Sequence, residues 1–252
     1  MPDEAKGIKI EIDALETKIR QQRAVRKEGY TDPVSGDFTE ASVVKMRTLT
    51  QTSPDEGLRK ACFEAGEKFA LDNIDDYVEL VKLRNKFAKL LGFTDFYDYK
   101  LRKIDRMTKE ELFTLFTDIT DKTKDIFSKI RDLEKENPRL RQPWNFFYYM
   151  TGDFTKEEDK YFQFDQALIR WGRSFSALGI DFADGTLQLD LLDRHGKWNN
   201  GFCHWSKLVN YNNGEREAGS ANFTCNVVVG QVGAGASGYN TLFHEGAMRL
   251  IS

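Results

Sequence analysis

Thr241-Leu242-Phe243-His244-Glu245-Gly246 sets an imidazole beside a carboxylate in a stretch with helical spacing. Histidine followed directly by glutamate is the first half of a His-Glu-x-x-His arrangement. In it, two imidazoles one helical turn apart grip a single zinc ion. The intervening glutamate stands where it can take a proton from metal-bound water. The place of the second histidine is held by Met248. A thioether is a soft, weak ligand that suits Cu(I) better than zinc. The pair therefore offers one metal ligand, His244, and one general base, Glu245, without the second imidazole.

Other residue patterns compete for a functional role. Gly233-Ala234-Gly235-Ala236-Ser237-Gly238 has the spacing of a dinucleotide-binding loop between a predicted strand and a predicted helix. That fingerprint needs a further strand and an acidic residue about 20 positions on, and only 14 residues follow Gly238. Cys203 and His204 are sequence neighbours; in a strand they point to opposite faces and cannot act as a nucleophile–base pair. His195, flanked by Gly196, reads as a solvated turn residue. Cys203, His204, Cys225 and His244 could converge on a metal, although nothing in their spacing demands it.

These residues must be held by a fold, and the composition bounds it. The chain has 252 residues, of which 40% are hydrophobic and 31% charged, a balance that favours long solvated helices over compact β structure. With 37 basic against 40 acidic residues the net charge is −3, which gives no basic footprint for nucleic acid. No stretch approaches the apolar length of a membrane span, and Met1-Pro2-Asp3-Glu4 lacks the features of a signal peptide. Three scattered cysteines fit reduced thiols and a cytoplasmic location.

Up to about residue 140 the periodicity is helical. Ile8, Ile10, Ile12, Leu15 and Ile19 predict a first amphipathic helix ending near Gly29. Ser53-Pro54-Asp55-Glu56 reads as a helix start with Ser53 as cap and Pro54 as first helical residue. Ile74 to Leu90 predicts a helix ending at Gly92, and Thr108-Lys109-Glu110-Glu111 is a capping box opening a helix that runs to about Glu136. Pro143 to Tyr149 reads as an aromatic connector, and a further helix is expected from Thr155 to Leu178, ending at Gly179. Strands follow at Leu187–Leu192, Phe202–Tyr211 after the Asn199-Asn200-Gly201 turn, and Asn222–Val229. Glycines 230, 233, 235 and 238 are expected to form a flexible loop before the last helix. The expected fold is mainly α: a helical body over residues 1–185, then a small antiparallel β-sheet and the start of the catalytic helix over 186–252.

The order of segments resembles the M3 family of peptidases, the relatives of thimet oligopeptidase and oligoendopeptidase F. The likeness runs from about residue 54 to 246. It is carried by Leu189 to Lys197 with Asn200 to His204, then Ala221 to Asn226, Gly230 to Gly233 and Thr241 to Gly246. Arg59-Lys60-Ala61 and Leu80 through Phe93 look like helices of the same family. The resemblance implies a mostly helical fold enclosing a channel, and zinc-dependent cleavage of short peptides. It makes His244 the first zinc ligand and Glu245 the general base. The family continues Gly-Gly-His-Ala where this chain has Gly246-Ala247-Met248-Arg249, and Ala247 to Ser252 look unrelated. This suggests a fragment with an incomplete zinc site. The alternative is a helical module that binds peptides without cutting them. Apolar surface around Phe202, Val227, Val229 and Leu242 is expected to be exposed and to drive self-association.

Overall fold

A computed structural model describes residues 1–180 and 184–248, with the side chains of Asp153, Ala247 and Met248 outside that description. Of Ala247 to Ser252, read above as unrelated, residues 249–252 lie outside the described residues. The elements begin with α1 (Asp3–Val25), β1 (Gly29–Thr31), β2 (Phe38–Glu40), α2 (Val43–Thr52), α3 (Glu56–Asp72) and α4 (Ile74–Leu90). Next come α5 (Phe96–Lys100), which continues into a π-helical turn, α6 (Lys109–Glu136), α7 (Pro143–Asp159) and α8 (Ala167–Ala177). The chain then forms β3 (Thr186–Leu192), β4 (Phe202–Lys207), β5 (Asn210–Asn212), β6 (Glu215–Glu217), β7 (Ser220–Val227) and α9 (Ala234–Met248). The fold is mainly α, as expected.

Two compact units share these elements: Met1–Arg26 with Gly66–Arg141, and Lys27–Ala65 with residues 142 onward. In the first, Ala5, Ile8 and Ile12 of α1 pack on Leu80 and Phe87 of α4. The 3–4 spacing of that stripe leaves Ile10 on the opposite face, 70% exposed. α4 stops at Gly92 as predicted; its φ of 86° lets the Phe93 N–H turn back to the Ala88 carbonyl, 3.1 Å away. The capping box opens α6 as predicted: the Thr108 hydroxyl accepts from the Glu111 N–H while the Glu111 carboxylate accepts from the Thr108 N–H.

In the second unit the start of α3 is set by Asp55 rather than Ser53. The Asp55 carboxylate accepts the Gly57 and Leu58 N–H groups, while Ser53 caps the end of α2. A carboxylate both bonds the free amides and complements the helix dipole, so it displaces the hydroxyl two residues earlier. Glu56 is thereby released to accept from the Asn145 amide at 2.8 Å.

The aromatic connector is instead helix α7, with Pro143 at its first turn. Its inward face is not apolar but carries Asn145, Tyr148 and Gly152, at helical spacing. Arg59, 1% exposed, donates to the Asn145 side-chain carbonyl from Nη2 (2.6 Å) and Nε (3.2 Å), and from Nη1 to the Ser53 carbonyl (2.8 Å). Its guanidinium lies 4.0 Å from the Tyr148 ring centre. Gly152 admits the Gln51 backbone of α2: a β-carbon there would stand 3.0 Å from the Gln51 carbonyl oxygen. The helix expected over 155–178 is accordingly two, α7 and α8, and α8 ends at Gly179 in a left-handed cap.

β7 is the centre of a three-stranded sheet in the order β3-β7-β4. The β4–β7 pair is antiparallel, with Cys203 opposite Phe223, whereas β3 runs parallel to β7, with Leu189 opposite Phe223. The strand expected over 202–211 is broken. Asn213 and Gly214, with φ of 53° and 85°, turn β5 into β6 as a separate hairpin. Alternate residues Phe223, Cys225 and Val227, with Cys203, face Trp171, Phe175, Tyr239 and Leu242 in one buried cluster.

Candidate functional site

The turn after β3 is built around an ammonium group. The Lys197 side chain is 5% exposed; its Nζ donates to the carbonyls of Cys225 (2.6 Å), Asp190 (2.9 Å) and Leu192 (2.9 Å) and pairs with Asp190 Oδ1 at 3.0 Å. Arg194 closes on both oxygens of the same carboxylate at 2.7 and 2.9 Å. The Arg194 guanidinium first, and then Lys197, hold the Asp190 carboxyl down at about 2. His195, between Arg194 and Gly196, is exposed as expected.

α9 begins earlier than the glycine pattern implies, and Gly235 and Gly238 lie inside it rather than in a loop. They are there for contact. A β-carbon on Gly235 would collide with the Phe162 carbonyl; on Gly238 it would stand 2.7 Å from Val227 Cγ2 and 2.9 Å from the Phe164 ring. Gly246 faces Trp171 in the same way, and Leu242 between them is fully buried. Gly235, Gly238, Leu242 and Gly246 thus form the one helical face pressed on the core. The Gly233 N–H, just before the helix, donates to the Asp159 carboxylate at 2.8 Å. An anion already stands where the dinucleotide reading needs a pyrophosphate, and glycines interior to the helix cannot form the loop it requires.

That packing leaves His244 and Glu245 off the buried face. The His244 side chain is 68% exposed, and its Nε2 lies 4.0 Å from Glu245 Oε1. Beside them, Gly201 meets Thr241, which is one turn before Glu245; a β-carbon on Gly201 would collide with the Thr241 methyl. The turn carrying Gly201 is fixed by Asn226, whose amide donates to the carbonyls of Trp198 (2.9 Å) and Asn200 (3.2 Å). The Asn199-Asn200-Gly201 turn was legible in the sequence; that Asn226 anchors it was not.

The other candidate ligands do not join His244. Cys203 is buried with the cluster under α9, so His204, next along the strand, lies on the sheet's other face with its ring 5.6 Å from Phe202. The Cys225 thiol donates to the Leu191 carbonyl at 3.4 Å, and burial pushes its pKa up to about 11, which keeps it a neutral thiol. Among the described residues no three His, Cys, Asp or Glu side chains converge as metal ligands. Zinc in a catalytic site takes three protein ligands and a water; the described donor set does not fit it. Of the apolar residues expected at the surface, Val227 and Leu242 are buried, because alternation in β7 and the packed face of α9 turn them inward. Phe202 and Val229 are exposed. Among the described residues no helix is long and apolar enough to cross a membrane.

Residues 49–175, half of the chain, match the sequence profile of Peptidase family M3. The match begins near the end of α2, covers α3 to α7 and most of α8, and stops before the β3-β7-β4 sheet and α9. Among solved structures the chain is similar to "PZ peptidase A with inhibitor 2", with a TM-score of 0.58 and 18% identity. The similarity covers 97% of this chain and 42% of that one, so the chain spans well under half of that structure's length. No protein with a curated description matches the chain.

Proposed function

The chain belongs to peptidase family M3, and from that premise we propose that it supplies the first part of a zinc-dependent peptide-hydrolase centre which is incomplete within these residues. His244 takes the place of the first ligand and Glu245 that of the general base. Short peptides are the substrate or ligand class. The observation that carries this reading is the placement of the histidines: His244 on an exposed turn of α9, His204 across the sheet, His195 in a separate turn. Four residues beyond His244, where a second ligand would share its face, stands Met248. One imidazole beside one carboxylate gives neither the affinity nor the fixed geometry of a catalytic zinc. The three free, buried cysteines support a cytoplasmic setting.

Zinc content after extensive dialysis tests the reading, together with hydrolysis of a quenched fluorescent peptide by the protein and its Glu245→Ala variant. Substoichiometric zinc and no turnover in either are expected. One tightly held zinc per chain, with turnover lost in Glu245→Ala, would overturn it.

A further inference from the structure

The helix α6 is 28 residues long and none of its residues is buried. Leu112, Phe116, Ile119, Thr123, Ile126, Ile130 and Leu133 follow one another at steps of four and three. That is a strict seven-residue repeat held for three heptads, the spacing of a seam that meets another helix. Phe116, Ile119, Ile126 and Leu133 are exposed along it. The polar member, Thr123, already donates its hydroxyl to the Ile119 carbonyl at 2.8 Å, so covering it strands no donor.

We propose that this seam pairs with α6 of a second copy of the chain, parallel and in register. The flanking charges select the occupant and its direction. With Phe116, Thr123 and Ile130 at the first core position, Lys129 precedes one core turn and Glu134 follows it. In a parallel pair Lys129 of each copy stands beside Glu134 of the other, twice by symmetry. An antiparallel pair with the same core layers instead sets Lys122 against Lys129, also twice, and like charges oppose it. In the parallel pair the Lys122 stem also lies along Phe127 of the other copy, covering a ring that the seam alone would leave exposed.

Sedimentation of the full chain from about 1 to 100 µM reads the association directly. A concentration-dependent monomer–dimer equilibrium is expected, weakened at least tenfold by Ile126→Glu. Because Ile126 is exposed, that variant keeps its helical circular dichroism. Lys129→Glu weakens the dimer, and adding Glu134→Lys restores it. Thr123→Cys forms an interchain disulfide under mild oxidation, which only the parallel in-register pair permits. A monomer at every concentration overturns the proposal, as does a dimer indifferent to Ile126→Glu or one in which Thr123→Cys does not cross-link.

Discussion

Gly246 lies so close to the indole of Trp171 that a β-carbon would stand 2.9 Å from Nε1 and 3.1 Å from two ring carbons. One hydrogen in place of a methyl group therefore sets how near the His244–Glu245 turn comes to α8. Gly246→Ala is expected to destabilise the protein by about 1–3 kcal/mol, the usual cost of overpacking a filled core. Gly235→Ala should cost at least as much, since its obstacle is the backbone carbonyl of Phe162. Gly66→Ala and Gly172→Ala have open space around the new methyl and are expected to stabilise by about 0.5–1 kcal/mol through helix propensity. Opposite shifts of the urea midpoint in the two groups check the assignment.

Lys197 ties the turn after β3 to β7 through three carbonyl groups. Lys197→Met keeps much of the stem but leaves those carbonyls without this donor, while the Asp190 carboxylate keeps Arg194. A loss of about 1–3 kcal/mol is expected, from one or more stranded buried acceptors. Chemical denaturation of the variant against the parent protein measures it.

Asp190 gives the protein an acid limb. Its carboxyl sits at about 2 in the fold, below the ordinary value of 3.8, so folding favours the ionised form. The contribution is present in full above the ordinary value and fades as pH falls through the folded one. Asp190→Asn should be less stable than the parent at neutral pH, with the gap closing between about pH 4 and 2. Parallel thermal melts across that range test it; a gap that stays constant refutes the electrostatic account.

Asn145 is the pivot between Arg59 and Glu56. Asn145→Ala removes the acceptor for two guanidinium nitrogens in a fully buried site. A destabilisation of about 2–3 kcal/mol is expected, because a buried charged donor is left unmet. Arg59→Lys should not be tolerated either, since an ammonium cannot span Asn145 and the Ser53 carbonyl while stacking on Tyr148.

Met248→His restores the motif's second imidazole in sequence. Hydrolysis of short peptides is nevertheless expected to stay at the metal-free blank, because no third ligand joins it among the described residues. Turnover above that blank, removed by a chelator, would show the donor set to be larger than the described residues contain.

What could be read from the sequence was local. The Thr108–Glu111 capping box and the Gly92 stop were legible because their chemistry is complete within a few residues. α7 was hidden because its buried face is Asn145, Tyr148 and Gly152 rather than an apolar stripe, and its aromatics are poor helix formers. The start of α9 was hidden because three of its inward positions are glycine, which normally signals a loop. The hairpin at Asn213-Gly214 carries a readable turn pair, but the strand expected over 202–211 stops short of it and takes no account of it. The parallel pairing of β3 with β7 depends on contacts distant in sequence, which no local pattern encodes. At the site, His244 and Glu245 stood out by residue type, whereas Asn226, Gly201 and Lys197 matter only through where the chain brings them.

The second unit is written into the chain in two instalments. The Gln231 amide donates to the Lys45 carbonyl across 186 residues of sequence, and α2, whose Met46 packs at once with Tyr30 and Cys62, waits for α7 and the turn after β7 to cover its other side. Closing so long a loop adds little to the equilibrium cost, which grows only with the logarithm of length. Its effect is on timing. At synthesis rates of roughly 5–20 residues per second, residues 27–65 leave the ribosome on the order of ten seconds before the strand and helix that complete their unit. During that interval residues 66–141 emerge with most of their own unit's partners already made, so the order of assembly is imposed by translation.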